Sequence, residues 1–141
     1  LNKKEWAMAD TVTNKTIQDG PRVFISSFNW TYVDTGESAV LKVDVSGLSS
    51  YPGGAGTACT DVRINKVWFS TVGVSVKILW DASTDVLALE LPADYQGMLD
   101  YSSFGGLVNT ASSPTGDIRF STVGHGSGDT YSIVLECIKE F

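Results

Sequence analysis

The chain has 141 residues, 43% hydrophobic and 18% charged, which describes one globular domain and excludes a disordered polymer or a two-domain protein. Ten Lys and Arg against sixteen Asp and Glu give a formal net charge of −6, arguing against nucleic acid as a partner, because neutralising phosphates takes a basic surface. Two Cys and one His exclude a disulfide scaffold and leave almost no soft-metal centre, so no cofactor is expected.

Residues 1–21 are polar, keep no sustained period and close on the turn signal Asp19-Gly20-Pro21. They read as an N-terminal arm or linker ahead of a domain spanning 22–141. Leu1 to Trp6 is charged and no apolar segment follows it, so the start does not read as a secretory signal. The sequons at Asn14 and Asn29 are therefore read as chance. The thiols of Cys59 and Cys137 are read as reduced rather than bridged. No run approaches the roughly 20 apolar residues that a membrane span needs, and no membrane partner is expected.

From Arg22 to Val33, the side chains of Phe24, Phe28, Trp30 and Tyr32 share one parity, the period of one face of a strand. Ala39, Leu41, Val43 and Val45 then alternate with Lys42 and Asp44, predicting a half-buried strand with both charges on its wet face. Gly47 to Gly56 is a loop punctuated by Pro52, Gly53 and Gly54. Val62 to Phe69 reads as a strand, and Val74, Val76, Ile78 and Trp80 continue beyond Gly73 as its partner in a hairpin or bent pair. After the polar turn Asp81 to Asp85, Leu87, Leu89 and Leu91 are expected to face inward until Pro92 ends the strand. Ala93 to Asp100 is assigned one short helical turn, and residues 105–117 a second long loop. Asp117 to Phe120 and Tyr131 to Phe141 close the chain as strands. The last is apolar on both faces and so is expected to be central or covered. Many short strands without a helical period predict an all-β fold, a single-domain β-sandwich, jelly-roll-like, with an extended N-terminal arm.

Phe69-Ser70-Thr71-Val72-Gly73 recurs as Phe120-Ser121-Thr122-Val123-Gly124. Each copy follows a strand and precedes another, so the repeat reads as a strand–turn device, with Gly supplying a positive φ or a close backbone approach, and the two copies could be related hairpins placed in the two sheets.

Residues with chemical potential are few. His125 shares the loop Gly124-His125-Gly126-Ser127-Gly128-Asp129 with a serine and an aspartate. A triad needs its members on separate rigid supports, so a hairpin tip with an exposed imidazole is the preferred reading. Asp81, Asp85, Asp94 and Asp100 lack the glycine and terminal Glu of a calcium loop, and Asp is an ordinary turn former. Gly53-Gly54-Ala55-Gly56-Thr57 lacks the lysine and helix of a phosphate loop. Glu90, Glu136 and Glu140 sit where alternating strands expose carboxylates, and do not read as a glycosidase pair. Trp30, Tyr32, Trp68 and Trp80 could form an aromatic platform for a sugar, although parity places most of them with the core. No catalytic residue is assigned, and the protein reads as a non-enzyme.

Asp10 to Gly20, Gly36 to Val45, Arg63 to Phe69, Leu79 to Ala82, Leu91 to Tyr95 and Tyr131 to Glu136 together resemble a group of small β-rich virion proteins of tailed bacteriophages. The resemblance covers most of residues 8–141, rests on strand and turn text, and carries no catalytic residues with it. Leu1 to Ala7 departs from the pattern. The resemblance implies a structural protein of the virion that decorates or cements the capsid through contacts with the major capsid protein or other virion subunits. Self-association, as a trimer or other ring, would cover open strand edges. Trp6 and Ile17 are the expected apolar anchors of that interface. The competing expectations are a glycan-binding head-fibre or tail-tip module, requiring two or more of the four rings exposed on one surface, and an esterase-like enzyme using His125.

Overall fold

A computed structural model describes residues 10–51 and 56–141. Among the described residues nine strands follow one another: β1 (Thr11–Asp19), β2 (Val23–Thr31), β3 (Val40–Val43), β4 (Asp61–Val72), β5 (Ser75–Ala82), β6 (Val86–Leu91), β7 (Gln96–Asp100), β8 (Pro114–Val123) and β9 (Thr130–Glu140). They build two antiparallel sheets, ordered β1-β2-β9-β4-β7 and β3-β8-β5-β6. The inner faces meet in one core that includes Phe28, Trp30, Ile64, Ile78, Trp80, Phe120, Ile133 and Leu135. The all-β sandwich expected from the alternating pattern is the fold. The apolar-on-both-faces strand, β9, lies between β2 and β4, the most enclosed place in its sheet.

Among the described residues the chain changes sheet at nearly every connection, and only β1–β2 and β5–β6 are hairpins within a sheet. Exchanging the two sheets maps β2–β5 onto β6–β9: the pairs β2·β9, β3·β8 and β4·β9 become β6·β5, β7·β4 and β8·β5. The recurring five residues end β4 and β8, strands that this exchange equates. Gly73 and Gly124 both have left-handed φ, 75° and 74°. The two threonines make matching bonds. Thr71 N–H donates to the Tyr95 carbonyl (2.9 Å) and its hydroxyl accepts from Tyr95 N–H (3.3 Å). Thr122 N–H donates to the Glu37 carbonyl (2.9 Å) and its hydroxyl accepts from Glu37 N–H (2.9 Å).

Several local expectations are corrected. The arm at residues 1–21 contains β1, which pairs with β2 from Thr11 to Asp19; residues 1–9 lie outside the described ones. Ala93 to Asp100 holds no helical turn but the strand β7. Val62–Phe69 and Val74–Trp80 are not hairpin partners, because the turn at Gly73 is a corner that carries the chain from one sheet to the other. Bulges explain two inverted faces. A register shift between Ile78 and Leu79 turns Leu87 outward, 48% exposed, while Leu91 stays buried. A shift between Leu41 and Val43 turns Leu41 out and takes the Lys42 side chain in, 1% exposed.

Candidate functional site

The inward turn of Lys42 builds a buried ionic cluster. Its ammonium lies 2.6 Å from Glu37 Oε2, and both side chains are almost wholly buried. Glu37 Oε1 accepts a 2.5 Å hydrogen bond from the Tyr131 hydroxyl. Aromatic rings enclose the pair. Tyr131 stacks on Trp30 at 5.3 Å and meets Phe120 edge-on, and Lys42 Nζ stands 5.8 Å from the Phe120 ring centre. Desolvation, then the Glu37 charge and the hydrogen bond to it, push the Tyr131 phenol well above its ordinary range. A buried charge survives only with a partner and further hydrogen bonds, and here both are supplied.

His125 is linked to this cluster through Thr122, whose hydroxyl bonds the Glu37 backbone. Its Nδ1 is 3.1 Å from the Thr122 hydroxyl, and its ring stacks on Tyr32 at 5.5 Å. It also lies against the backbone of Gly36, where a Cβ would come within 2.5 Å of the ring. The loop serine and aspartate are not its partners. Asp129 accepts from Gly126 N–H at 2.7 Å, closing the turn, and Ser127 is exposed. Glu37, the nearest buried carboxylate of the cluster, is committed to Lys42 and Tyr131. A hydroxyl and an imidazole are thus in contact without a carboxylate relay behind them.

The other acidic residues are taken up separately. Asp81 pairs with Arg119 at 2.7 Å and Glu140 with Arg63 at 2.5 Å. Glu136 accepts from Asn65 and Glu90 from Ser75. Asp85 and Asp100 each accept a nearby backbone N–H in a turn, and Asp94 accepts the N–H of Gly73 at the corner after β4. Among the described residues, no three His, Cys, Asp or Glu gather as a metal-ligand group. Gly53 and Gly54 lie outside the described residues. Cys59 and Cys137 are free and buried, and desolvation pushes the Cys137 thiol up to about 12. Of the four rings considered as a platform, Trp30 and Trp80 are each 1% exposed, Tyr32 is half-buried beneath His125, and only Trp68 is open.

A second arrangement concerns β1, every residue of which is exposed. Such a strand gains little from apolar burial, yet both of its ends are fastened by a carboxylate. Asp10 Oδ1 accepts from the backbone N–H groups of Val33, Asp34 and Thr35 at 2.8, 2.9 and 3.2 Å, and its Oδ2 from Trp30 Nε1 at 3.0 Å. Against the desolvation that raises it, these four bonds bring the Asp10 carboxyl down to about 2. At the other end, Asp19 receives the buried Lys139 ammonium and the Ser49 N–H and hydroxyl. Lys139 also donates to the carbonyls of Gly20 and Ser49. Between the fastenings, Ile17 occupies a bulge where the register skips from Thr16 to Gln18, and it is 58% exposed. Trp6, the other expected anchor, lies outside the described residues.

Sequence reasoning placed Lys42 on the wet face and took 1–21 for a free arm, so it missed both arrangements. The repeated pentapeptide was the one signal that pointed toward Thr122 and its neighbours. No protein-family model, curated protein or solved structure matches this chain.

Proposed function

We propose that this protein is a non-enzymatic structural component of a virion, decorating or cementing a capsid, and that β1 is the strip by which one subunit meets the next. The strand order, with the chain alternating between sheets, is read here as a jelly roll, a double Greek key. The observation that carries the proposal is β1 itself. It is nine residues long and exposed on both faces, yet fastened at each end by a hydrogen-bonded carboxylate.

Fixing a residue's backbone costs about 1–2 kcal/mol of conformational entropy, so an unburied strand held this firmly calls for a reason. Long bare edges invite pairing with another chain. Lys15 and the bulge at Ile17 restrict which partner and register can be accepted. The buried polar groups Glu37, Lys42, Tyr131 and Lys139 are engaged in holding the sandwich together. A partner of this kind is another copy of the chain, as a trimer or other ring, or a capsid subunit.

Two measurements test the reading. Sedimentation of the wild-type protein should reveal concentration-dependent self-association that Ile17→Asp abolishes without changing the unfolding midpoint. Quantitative mass spectrometry should find the chain in purified particles at a copy number matched to the capsid subunits. A strictly monomeric protein that is absent from particles would overturn the proposal.

A further inference from the structure

A depression of about 240 Å³ lies on the outer face of the five-stranded sheet, across β1, β2, β9 and β4. β1 contributes Thr11 and Thr13, β2 Asn29 and Thr31, β9 Thr130 and Ser132, and β4 Ser70. Trp30 and Tyr131 also line it, although their side chains belong to the core. The strand registers explain how these small side chains come together. Thr13 is opposite Asn29, Asn29 opposite Ser132, and Ser132 opposite Ser70, while Thr11, Thr31 and Thr130 form the next row on the same face.

Three properties narrow what this depression can hold. First, none of its lining side chains carries a charge at neutral pH, in a chain of net charge −6. An anion finds no cation there, and a cation no carboxylate. Second, the hydroxyls of Thr11, Thr13, Thr31, Ser70 and Thr130 make no hydrogen bond to another described residue. The one internal bond, Ser132 Oγ to Asn29 Oδ1 at 2.7 Å, leaves the Asn29 amide hydrogens free. Hydroxyl and amide groups both donate and accept, as a ligand made of hydroxyls requires. Third, Trp68 is 37% exposed and lies on the same face of β4 as Ser70, two residues away. An indole beside a field of hydroxyls offers a surface for the apolar face of a sugar ring.

From this juxtaposition we infer that the depression is a binding site for a neutral saccharide, with the Thr, Ser and Asn side chains bonding its hydroxyls and Trp68 flanking it. It is not the four-ring platform suggested by the sequence, since Trp30 and Trp80 are core residues. Its volume falls below the roughly 300–1,000 Å³ of pockets that enclose a drug-sized ligand, so it fits a short stretch of a glycan held shallowly. The site uses the face of the sheet and not the edge of β1, so it stands or falls independently of the proposed assembly.

The test is amide NMR of the full chain titrated with neutral pentasaccharides of glucose (α- and β-linked), mannose and N-acetylglucosamine, with oligogalacturonate as the anionic control. Expected are saturable shifts confined to Thr13, Asn29, Ser70, Ser132 and their neighbours with at least one neutral glycan and none with the control. Ser132→Arg, an exposed substitution that fills the depression, should weaken that binding at least about tenfold while leaving the rest of the spectrum unchanged. Absence of shifts with every neutral glycan, equal shifts with oligogalacturonate, or binding unaffected by Ser132→Arg would each overturn the inference.

Discussion

Lys42 occupies a strand position that ordinarily meets water, and a one-residue bulge sends its ammonium inward to Glu37. Once there, the two charges depend on each other. Removing one leaves the other buried and unpaired, whereas removing both leaves a neutral site of similar shape. Lys42→Met is therefore expected to destabilise the protein by about 3–5 kcal/mol, read as a lower urea midpoint at unchanged slope. The double variant Lys42→Met/Glu37→Gln should regain most of that loss, because Gln can still meet the Tyr131 hydroxyl. A double variant no better than the single one would show that the charges do not act as a pair. His125 contributes from the outside, covering the backbone of Gly36 and bonding Thr122.

Among elements, the two corners that end β4 and β8 share five residues and one backbone shape but not one environment. A Cβ on Gly73 would fall 2.0 Å from Asp129 Oδ1, while a Cβ on Gly124 would meet nothing within 4 Å. Both glycines have φ near 75°, where an L-residue is strained by about 1–2 kcal/mol. Gly124→Ala should cost only that strain. Gly73→Ala should cost more, since Asp129 must also move and give up its bond to Gly126 N–H. Asp129→Ala in the Gly73→Ala background should narrow the difference. Thermal unfolding of the four proteins measures it, and equal losses at the two glycines would contradict the account. The repeat itself was legible in the sequence. That its copies are corners between the sheets rather than hairpins, and that they end equivalent strands, was not, because equivalence is a property of pairings made far apart in the chain.

At the scale of the whole molecule, acid acts unequally on the two parts of the structure. Folding lowers the Asp10 carboxyl from 3.8 to about 2 and also lowers Asp19, where Lys139 and Ser49 overcome the desolvation. Their stabilisation is full above pH 3.8 and is lost as pH falls through the folded values. Burial instead raises Asp61 and Asp117, so protonating those two relieves a penalty. The fastenings of β1 should therefore loosen as pH falls from 3.8 toward 2, while the sandwich core is partly compensated. Hydrogen exchange at Thr11–Asp19 should accelerate in this window ahead of the core amides of β9. Asp10→Asn should bring part of that acceleration to neutral pH. Simultaneous release of β1 and β9 would show that the strand is not a separately fastened element.

Amino-acid order alone determined the fold class, most of the buried set and the punctuation of the chain. Phe24, Phe28, Trp30, Val76, Ile78 and Trp80 repeat with the period of a pleated strand, and Gly73 and Gly124 mark turns at the ends of strands. These are local properties, expressed wherever the segment ends up. Tertiary structure decided what depends on a distant partner: the two bulges that reverse Lys42 and Leu87, the division of strands between sheets, and the capture of residues 11–19 by β2. It also gathered the small hydroxyls around Ser132 beside Trp68. A bulge is created by the register of the opposing strand, and a strand edge is free or paired according to its neighbour. Neither is encoded in the alternation of a single segment, so the polar cluster and the exposed strip became visible only once the sheets were assembled.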